Sequence, residues 1–437
     1  MMIKKKSYHS LLSFSSLLLI LIPPALVSGP FLPDLFIVLI SIMFLFIYSN
    51  SKKVFLNNLL FLKLFLIFFI FLIFISTISE NFSQSIKPSI TYIRFGIFSL
   101  AIFFILEKRE DFKKYFYFVL CLTLVIVIFD GYFQFFIGNN IFGYEVNRPD
   151  RLGGLFFDEL ILGSYLGKIL PVFCTFSLFN RKYFNKYHIV IFILFIYVLI
   201  FLSGERSAFL TTSLYLVLIA PFFISLKKGI LLIISIIILF SGIIISNKNI
   251  KSRYFDQMIA HTIPNKAQHG KDYFLPEHIG LFKNAIIIFK QNILFGGGVK
   301  TFRINCAYVD DKSIDPKNFK FADVINIDDC KIYLNSKNCS THPHNYYLQL
   351  LAETGLFGFM FVFAIFLKLL LNYFKQIYYL LRNKNKINIG NNLILCGLIS
   401  YIWPIITTGS FFNNWICSIL FLQIGIYLYT LNYLKNK

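Results

Sequence analysis

Apolar and polar positions alternate along the chain as one repeated unit, an apolar run of roughly membrane length followed by a polar connection. Such runs fall near 11–28, 31–49, 57–77, 89–106, 116–136, 155–177, 189–203, 208–225, 229–246, 344–372, 391–409 and 413–433. A run of this kind crosses a hydrocarbon core about 30 Å thick as a helix, the form that satisfies every backbone hydrogen bond without water. The pattern predicts an all-α integral membrane protein of about twelve transmembrane helices with one large external loop. It divides the chain into about nine helices over 1–246, a large loop over 247–343, and about three helices over 344–437. The first run follows Lys4, Lys5 and Lys6 and carries Pro23 and Pro24. It resembles a signal sequence without a small-residue cleavage site, and so reads as an uncleaved first helix.

Composition supports the pattern. Hydrophobic residues make up 57% of the 437 positions and charged residues only 14%, more apolar surface than a soluble core can hide. The net charge of +21 would suit a nucleic-acid binder if it were gathered on one face. Instead the cations stand in short clusters between runs, at Lys52–Lys53, Lys108–Lys114, Arg181–Lys186, Lys227–Lys228, Arg382–Lys386 and Lys435–Lys437. All of these fall on the side of the N-terminus, whereas the opposite connections hold few cations. The positive-inside rule therefore places both termini in the cytoplasm and the 247–343 loop outside. Phosphate-bearing lipid, not nucleic acid, is the anionic partner this predicts.

The most informative stretch is Ser340-Thr341-His342-Pro343-His344-Asn345, where the loop becomes an apolar helix. Ser340 or Thr341 is expected as the N-cap, with Pro343 and His344 in the first turn. A helix N-terminus attracts anions and favours a neutral imidazole, so a phosphate and a general base could meet there. Asn345, Gln349 and Glu353 follow at helical spacing as a polar stripe, and Gly355 and Gly358 permit close packing a turn later. His344, in a segment where polar residues are costly, is the candidate base.

His344-Asn345, an intervening helical stretch, then Gly355-x-x-Gly358 resembles the signature of the O-antigen ligase and O-antigen polymerase superfamily. The resemblance extends over most of the second half of the chain. It implies a metal-independent glycosyltransferase without a cofactor in the bacterial inner membrane, with its active site on the periplasmic face. The glycan would pass from an undecaprenyl-diphosphate donor to a hydroxyl acceptor, such as the lipid A core. The His342–Asn345 segment and the Ser203–Ser207 junction look closest to ligase-type members; a polymerase of the same superfamily is the alternative, and a polyprenyl-lipid flippase the other class.

The same resemblance assigns further residues. Ser-x-Arg-Ser/Thr at a helix junction supplies one pyrophosphate-binding arginine, and Arg206 in Glu205-Arg206-Ser207 matches it. Its planar fork suits pyrophosphate oxygens, although taken alone Arg206 could equally be a snorkelling side chain paired with Glu205. A second arginine is expected ahead of the Gly296-Gly297-Gly298 turn, where this chain has His278. The replacement cation is Arg303, which we favour, or Arg253 or a protonated His278. Lys300, Arg151 and Asn345 complete the candidate substrate-binding set. Asp158 and Glu159 are expected to cap the helix that follows them, and Asp130 and Gln134 read as buried polar partners. Three cysteines lie in the large loop, and an oxidising exterior predicts a disulfide, Cys306–Cys339 or Cys330–Cys339.

Overall fold

The structure is a computed structural model that describes residues 2–48, 58–145, 148, 150–180, 186–256, 276–310, 339–382 and 387–433. Among them it is all-helical, with a single isolated bridge between Asn139 and Glu145 in place of any strand. In chain order the helices are α1 (Met2–Ile20), α2 (Ile22–Val27), α3 (Phe31–Tyr48), α4 (Leu59–Thr77), α5 (Phe82–Thr91), α6 (Ile93–Lys108) and α7 (Glu110–Ile137). Next come α8 (Leu162–Phe179), α9 (Lys186–Leu202), α10 (Arg206–Ile219), α11 (Leu226–Ser246), the single turn α12 (Lys248–Lys251), α13 (Pro276–Gln291) and α14 (Phe302–Asp310). The last three are α15 (Tyr346–Leu381), α16 (Ile389–Tyr401) and α17 (Asn414–Tyr433).

Every predicted apolar run holds a helix, but not every helix is a span by length. Six described helical stretches are long and apolar enough to cross a membrane: Leu59–Thr77, Phe82–Lys108, Glu110–Ile137, Leu162–Phe179, Tyr346–Leu381 and Asn414–Asn432. A seventh is reached only by joining Ile234–Ser246 to Lys248–Tyr254 across a 111° bend. The other apolar helices among the described residues have 10–17 residues, so about twelve spans of membrane length are not confirmed. One predicted run, 11–28, is broken: α1 gives way to α2 ahead of Pro23.

Helices in lipid gain little from apolar burial alone, so they associate through close packing and buried polar contacts. α6 and α17 form the tightest pair. A Cβ on Gly425 would stand 2.7 Å from Ile102, and Ser99 Oγ donates to the Phe421 carbonyl at 2.8 Å. Two tyrosines fix the ends of the functional half. Tyr347 donates to the Ile402 carbonyl at the end of α16 at 2.8 Å, and Tyr373 to the Leu218 carbonyl near the end of α10 at 3.1 Å. α10 and α15 therefore run in the same sense, and Arg206 and His344 stand at the same end of the bundle.

Candidate functional site

The helix carrying the motif begins later than expected, with its N-cap at position 345 and not at Ser340 or Thr341. Asn345, extended at φ −149°, is the N-cap, and its Oδ1 accepts from the N–H groups of Tyr347 at 3.0 Å and Leu348 at 3.1 Å. Ser340, Thr341 and Pro343 lie outside the helix, and His344 sits just before the cap with φ +53°. Asn345 outcompetes the hydroxyls because it is adjacent to the first turn. His344 therefore lies outside the helix, next to its cap. Its carbonyl accepts from Thr408 N at 2.8 Å and Asn345 Nδ2 donates to the Pro404 carbonyl at 2.8 Å, so the 402–408 segment clamps the residue in its left-handed conformation.

Three histidines meet there. The His344 ring lies 4.2 Å from His342 and 5.2 Å from His278, which also stacks on Phe282 at 6.2 Å. His278 thus comes to His344 itself. Burial, and after it the neighbouring His344, Arg303 and His278, push the His342 imidazole down to about 3. Arg303 acts on both His342 and Lys300, and burial also lowers the Lys300 ammonium. No group of three or more His, Cys, Asp or Glu among the described residues is arranged to hold a metal ion.

The polar stripe of α15 forms as the spacing predicts, with Gln349 and Glu353 fully buried. Glu353 accepts from Lys300 N at 3.0 Å and Phe302 N at 3.2 Å, so it caps α14, the helix that begins beside Arg303. Gln349 ties Glu353 (3.1 Å) to Ser410 (3.0 Å), and its oxygen accepts from Phe411 N at 2.8 Å. One turn on, α15 breaks at Gly355, with φ +64° and ψ −164°. The break releases the carbonyls of Ala352 and Glu353, which accept from Gly297 N and Gly298 N, both at 2.9 Å. In return Leu356 N and Phe357 N donate to the carbonyls of Ile293 (2.8 Å) and Leu294 (3.4 Å). Gly355 serves this interlock, not the helix packing the sequence suggested. A Cβ on it would collide with the Leu294 carbonyl, and one on Gly296 would stand 2.5 Å from the Thr354 nitrogen. Cys306 of α14 is joined to Cys339 by a disulfide with a Cα–Cα distance of 5.6 Å, a second tether between α14 and the His344 segment. Cys330 lies outside the described residues.

The second group gathers at the α9–α10 junction. Arg206 opens α10, and Asp150, Arg151 and Tyr254 act on it electrostatically. Arg253 reaches Asp150 at 3.4 Å and donates from Nε to the Gly204 carbonyl at 3.0 Å, while Arg151 donates to the Leu160 carbonyl at 2.7 Å. Arg206 and Arg253 therefore share Asp150, while Arg151 acts on Glu205. Glu205 does not serve as the partner of Arg206. It is buried and caps α8, accepting from Gly163 N at 2.6 Å and from Ser164 Oγ at 2.6 Å. That is the role expected of Asp158 and Glu159, which precede the helix but leave Ile161 as its uncapped first residue. Asp130 and Gln134 are buried as expected, accepting from Ile141 N at 2.9 Å and Gly154 N at 2.7 Å.

Among the functional groupings, the sequence reading missed the pairing of His278 with His344 and the Glu353 cap. Local spacing cannot reveal either, since both join segments more than 50 residues apart. A comparison with curated proteins returns no match to the chain. Residues 190–363 match the family model described as O-antigen ligase. The matched segment runs from α9 past the break in α15 and carries Arg206, His278, Arg303 and His344 together, and over it the match supports the resemblance to the O-antigen ligase and polymerase superfamily.

Proposed function

We propose that this protein transfers a glycan from a polyprenyl-diphosphate lipid to a hydroxyl acceptor at the outer face of the inner membrane, with ligase-type transfer to an acceptor such as the lipid A core favoured over chain polymerisation. The observation that carries the reading is the clamped His344, outside the helix and flanked by His278 and His342 with Arg303 acting on His342. The neutral His344 ring takes the proton of the acceptor hydroxyl while that oxygen attacks the anomeric carbon. The bond from that carbon to the phosphate oxygen breaks, and the lipid leaves as its diphosphate. The charge that develops on the leaving oxygen is met by arginine forks, Arg206 with Arg151 from one group and Arg303 from the other. Lys300 and Asn345 hold the surrounding backbone and charge, Lys300 through the Glu353 cap and Asn345 as the N-cap.

The test is transfer by purified protein from lipid-linked glycan to acceptor with no ion gradient. His344→Ala is expected to abolish it without changing abundance, a loss of about 10²–10⁴-fold for a general base. Wild-type protein that moves intact lipid across vesicles but never releases glycan would replace this reading with that of a carrier.

A further inference from the structure

A polar cavity of about 320 Å³ opens beside the arginine group. Its walls are the end of α7, the turn from Gly138 to Glu145, the Asp150–Leu152 segment and the α11–α12 junction. The turn is held firmly. Gly138 ends α7 with φ +93°, Asn140 N donates to the Tyr144 carbonyl at 2.9 Å, and Asn140 Nδ2 donates to the Gly154 carbonyl at 3.0 Å. Asn247 on the facing wall caps α12 through its oxygen, accepting from Asn249 N and Ile250 N, which leaves its NH₂ as a donor. The cavity is therefore preformed.

Its chemistry differs from that of the arginine group it adjoins. The ionisable side chains lining it are Glu145, Asp150 and Arg151, so carboxylates outnumber cations and an anion would not be favoured there. Amides from Asn139, Asn247 and Gln134 supply donors and acceptors, and Phe135 supplies an aromatic face. Amides and carboxylates facing one apolar ring are what a sugar requires, because vicinal hydroxyls pair with planar amide and carboxylate groups while the C–H face lies against an aromatic. The volume is that of about ten waters, the scale of one sugar ring, and falls at the small end of ligand clefts. Asp150 belongs to both places: it lines the cavity and pairs with Arg253 at 3.4 Å.

We propose that this cavity is a sugar subsite that receives a sugar ring of the donor glycan while the arginines hold the diphosphate. The proposal rests on the donor reading given above. It assigns Asn139, Glu145 and Asn247 to recognition of a neutral polyhydroxylated ring, and it makes the cavity, not the histidine group, the place where donor sugars are told apart.

The test compares two lipids bound to the full-length protein in nanodiscs. One is the lipid-linked glycan extracted from cells from which the gene is deleted, and the other is undecaprenyl diphosphate without sugar. Wild-type protein is expected to bind the glycan-bearing lipid about tenfold more tightly, the yield of one or two net hydrogen bonds. Asn139→Ala and Glu145→Gln, at a half-buried and an exposed position of the turn, are each expected to lose about threefold to tenfold of that affinity and none of the affinity for undecaprenyl diphosphate. Variants that weaken both lipids alike, or neither, overturn the subsite. Equal binding of the two lipids by wild-type protein overturns the subsite and leaves the donor reading standing, whereas binding of neither removes both.

Discussion

Replacing Gly355 by alanine perturbs the backbone seam that joins α15 to the loop bearing the glycine triplet. At φ +64° and ψ −164° the backbone lies in a region essentially restricted to glycine, and an alanine there costs about 1–3 kcal/mol. The new Cβ collides with the Leu294 carbonyl, so the two chains must also separate. Four hydrogen bonds cross that seam, from Gly297 N, Gly298 N, Leu356 N and Phe357 N. Losing half of them, at a net contribution of about 1 kcal/mol each, brings the total to about 3–5 kcal/mol. Melting of the purified protein is expected to fall by on the order of 10 °C, using about 2–4 °C per kcal/mol for a large domain. Transfer is expected to fall further than stability alone explains, because the displaced loop carries Lys300, whose N–H is held by Glu353 at the head of α14. Gly242→Ala is the control: a Cβ at this helical position meets nothing within 4 Å, and alanine there should be neutral or stabilising by up to about 1 kcal/mol. Gly355→Ala protein that melts within about a degree of wild type and transfers normally would refute the interlock as the device that positions the site.

Arg206→Lys keeps the charge but not the fork, and is expected to lose most transfer activity; near-normal rates would return Arg206 to a snorkelling role. Arg303→Ala should reduce transfer more than Arg253→Ala, since Arg303 faces the histidines and Arg253 is paired with Asp150; the reverse order in a steady-state assay would exchange their roles. Reduction of Cys306–Cys339, or the double serine variant, is expected to slow transfer and lower the melting temperature, because the bond closes a 33-residue separation and such a loop constrains the unfolded chain by about 3–4 kcal/mol; unchanged rate and melting on reduction would dismiss it. His342 gives a pH prediction. Its folded value near 3 lies below the ordinary 6.5, so between those limits the unfolded chain binds the extra proton and stability falls with falling pH, by about 1.4 kcal/mol per unit. His342→Asn should flatten the melting profile between pH 6.5 and about 4, and an unaltered slope would show that another group sets it.

What the sequence made legible follows from the range of the interactions involved. Apolar runs are local, so each helix could be located; the break at Leu21 and the partners of the polar side chains could not, because they depend on contacts between helices. Glu205 is the clearest instance. Read along the chain it is next to Arg206 and invites an ion pair, but in space its carboxylate meets the N-terminus of α8, more than 40 residues away in sequence. Asn345 shows the same limit at shorter range. Ser340, Thr341 and Asn345 could each cap α15, and Asn345, next to the first turn, does so, with Thr408 N on the His344 carbonyl and the Pro404 carbonyl on Asn345 Nδ2 holding the backbone there. His344, Arg206, Arg303 and His278 were each visible as chemistry. Their division into two groups was not, because it is made by long-range contacts.

That division has a mechanistic consequence. A base must stay neutral to accept a proton, and a pyrophosphate site must stay strongly positive, so one compact cluster would set the two requirements against each other. Here Arg206 and Arg253 share Asp150 and Arg151 acts on Glu205, which tempers the repulsion among them, while the histidines lie against the start of α15 with Arg303 acting on His342. Both groups stand at the same end of the bundle, since α10 and α15 run in the same sense. A donor whose diphosphate rests on Arg206 and Arg151 would extend its glycosidic carbon toward His344, with Arg303 placed to meet charge on the departing oxygen without resting against the base itself. On this reading, Arg303→Lys should retain part of the activity that Arg206→Lys loses, because Arg303 contributes a nearby charge whereas Arg206 contributes a bidentate contact. Measured on the same lipid-linked donor, an Arg303→Lys loss equal to that of Arg206→Lys would mean that both forks grip the diphosphate directly, and the separation of base from cations would then be one of sequence only.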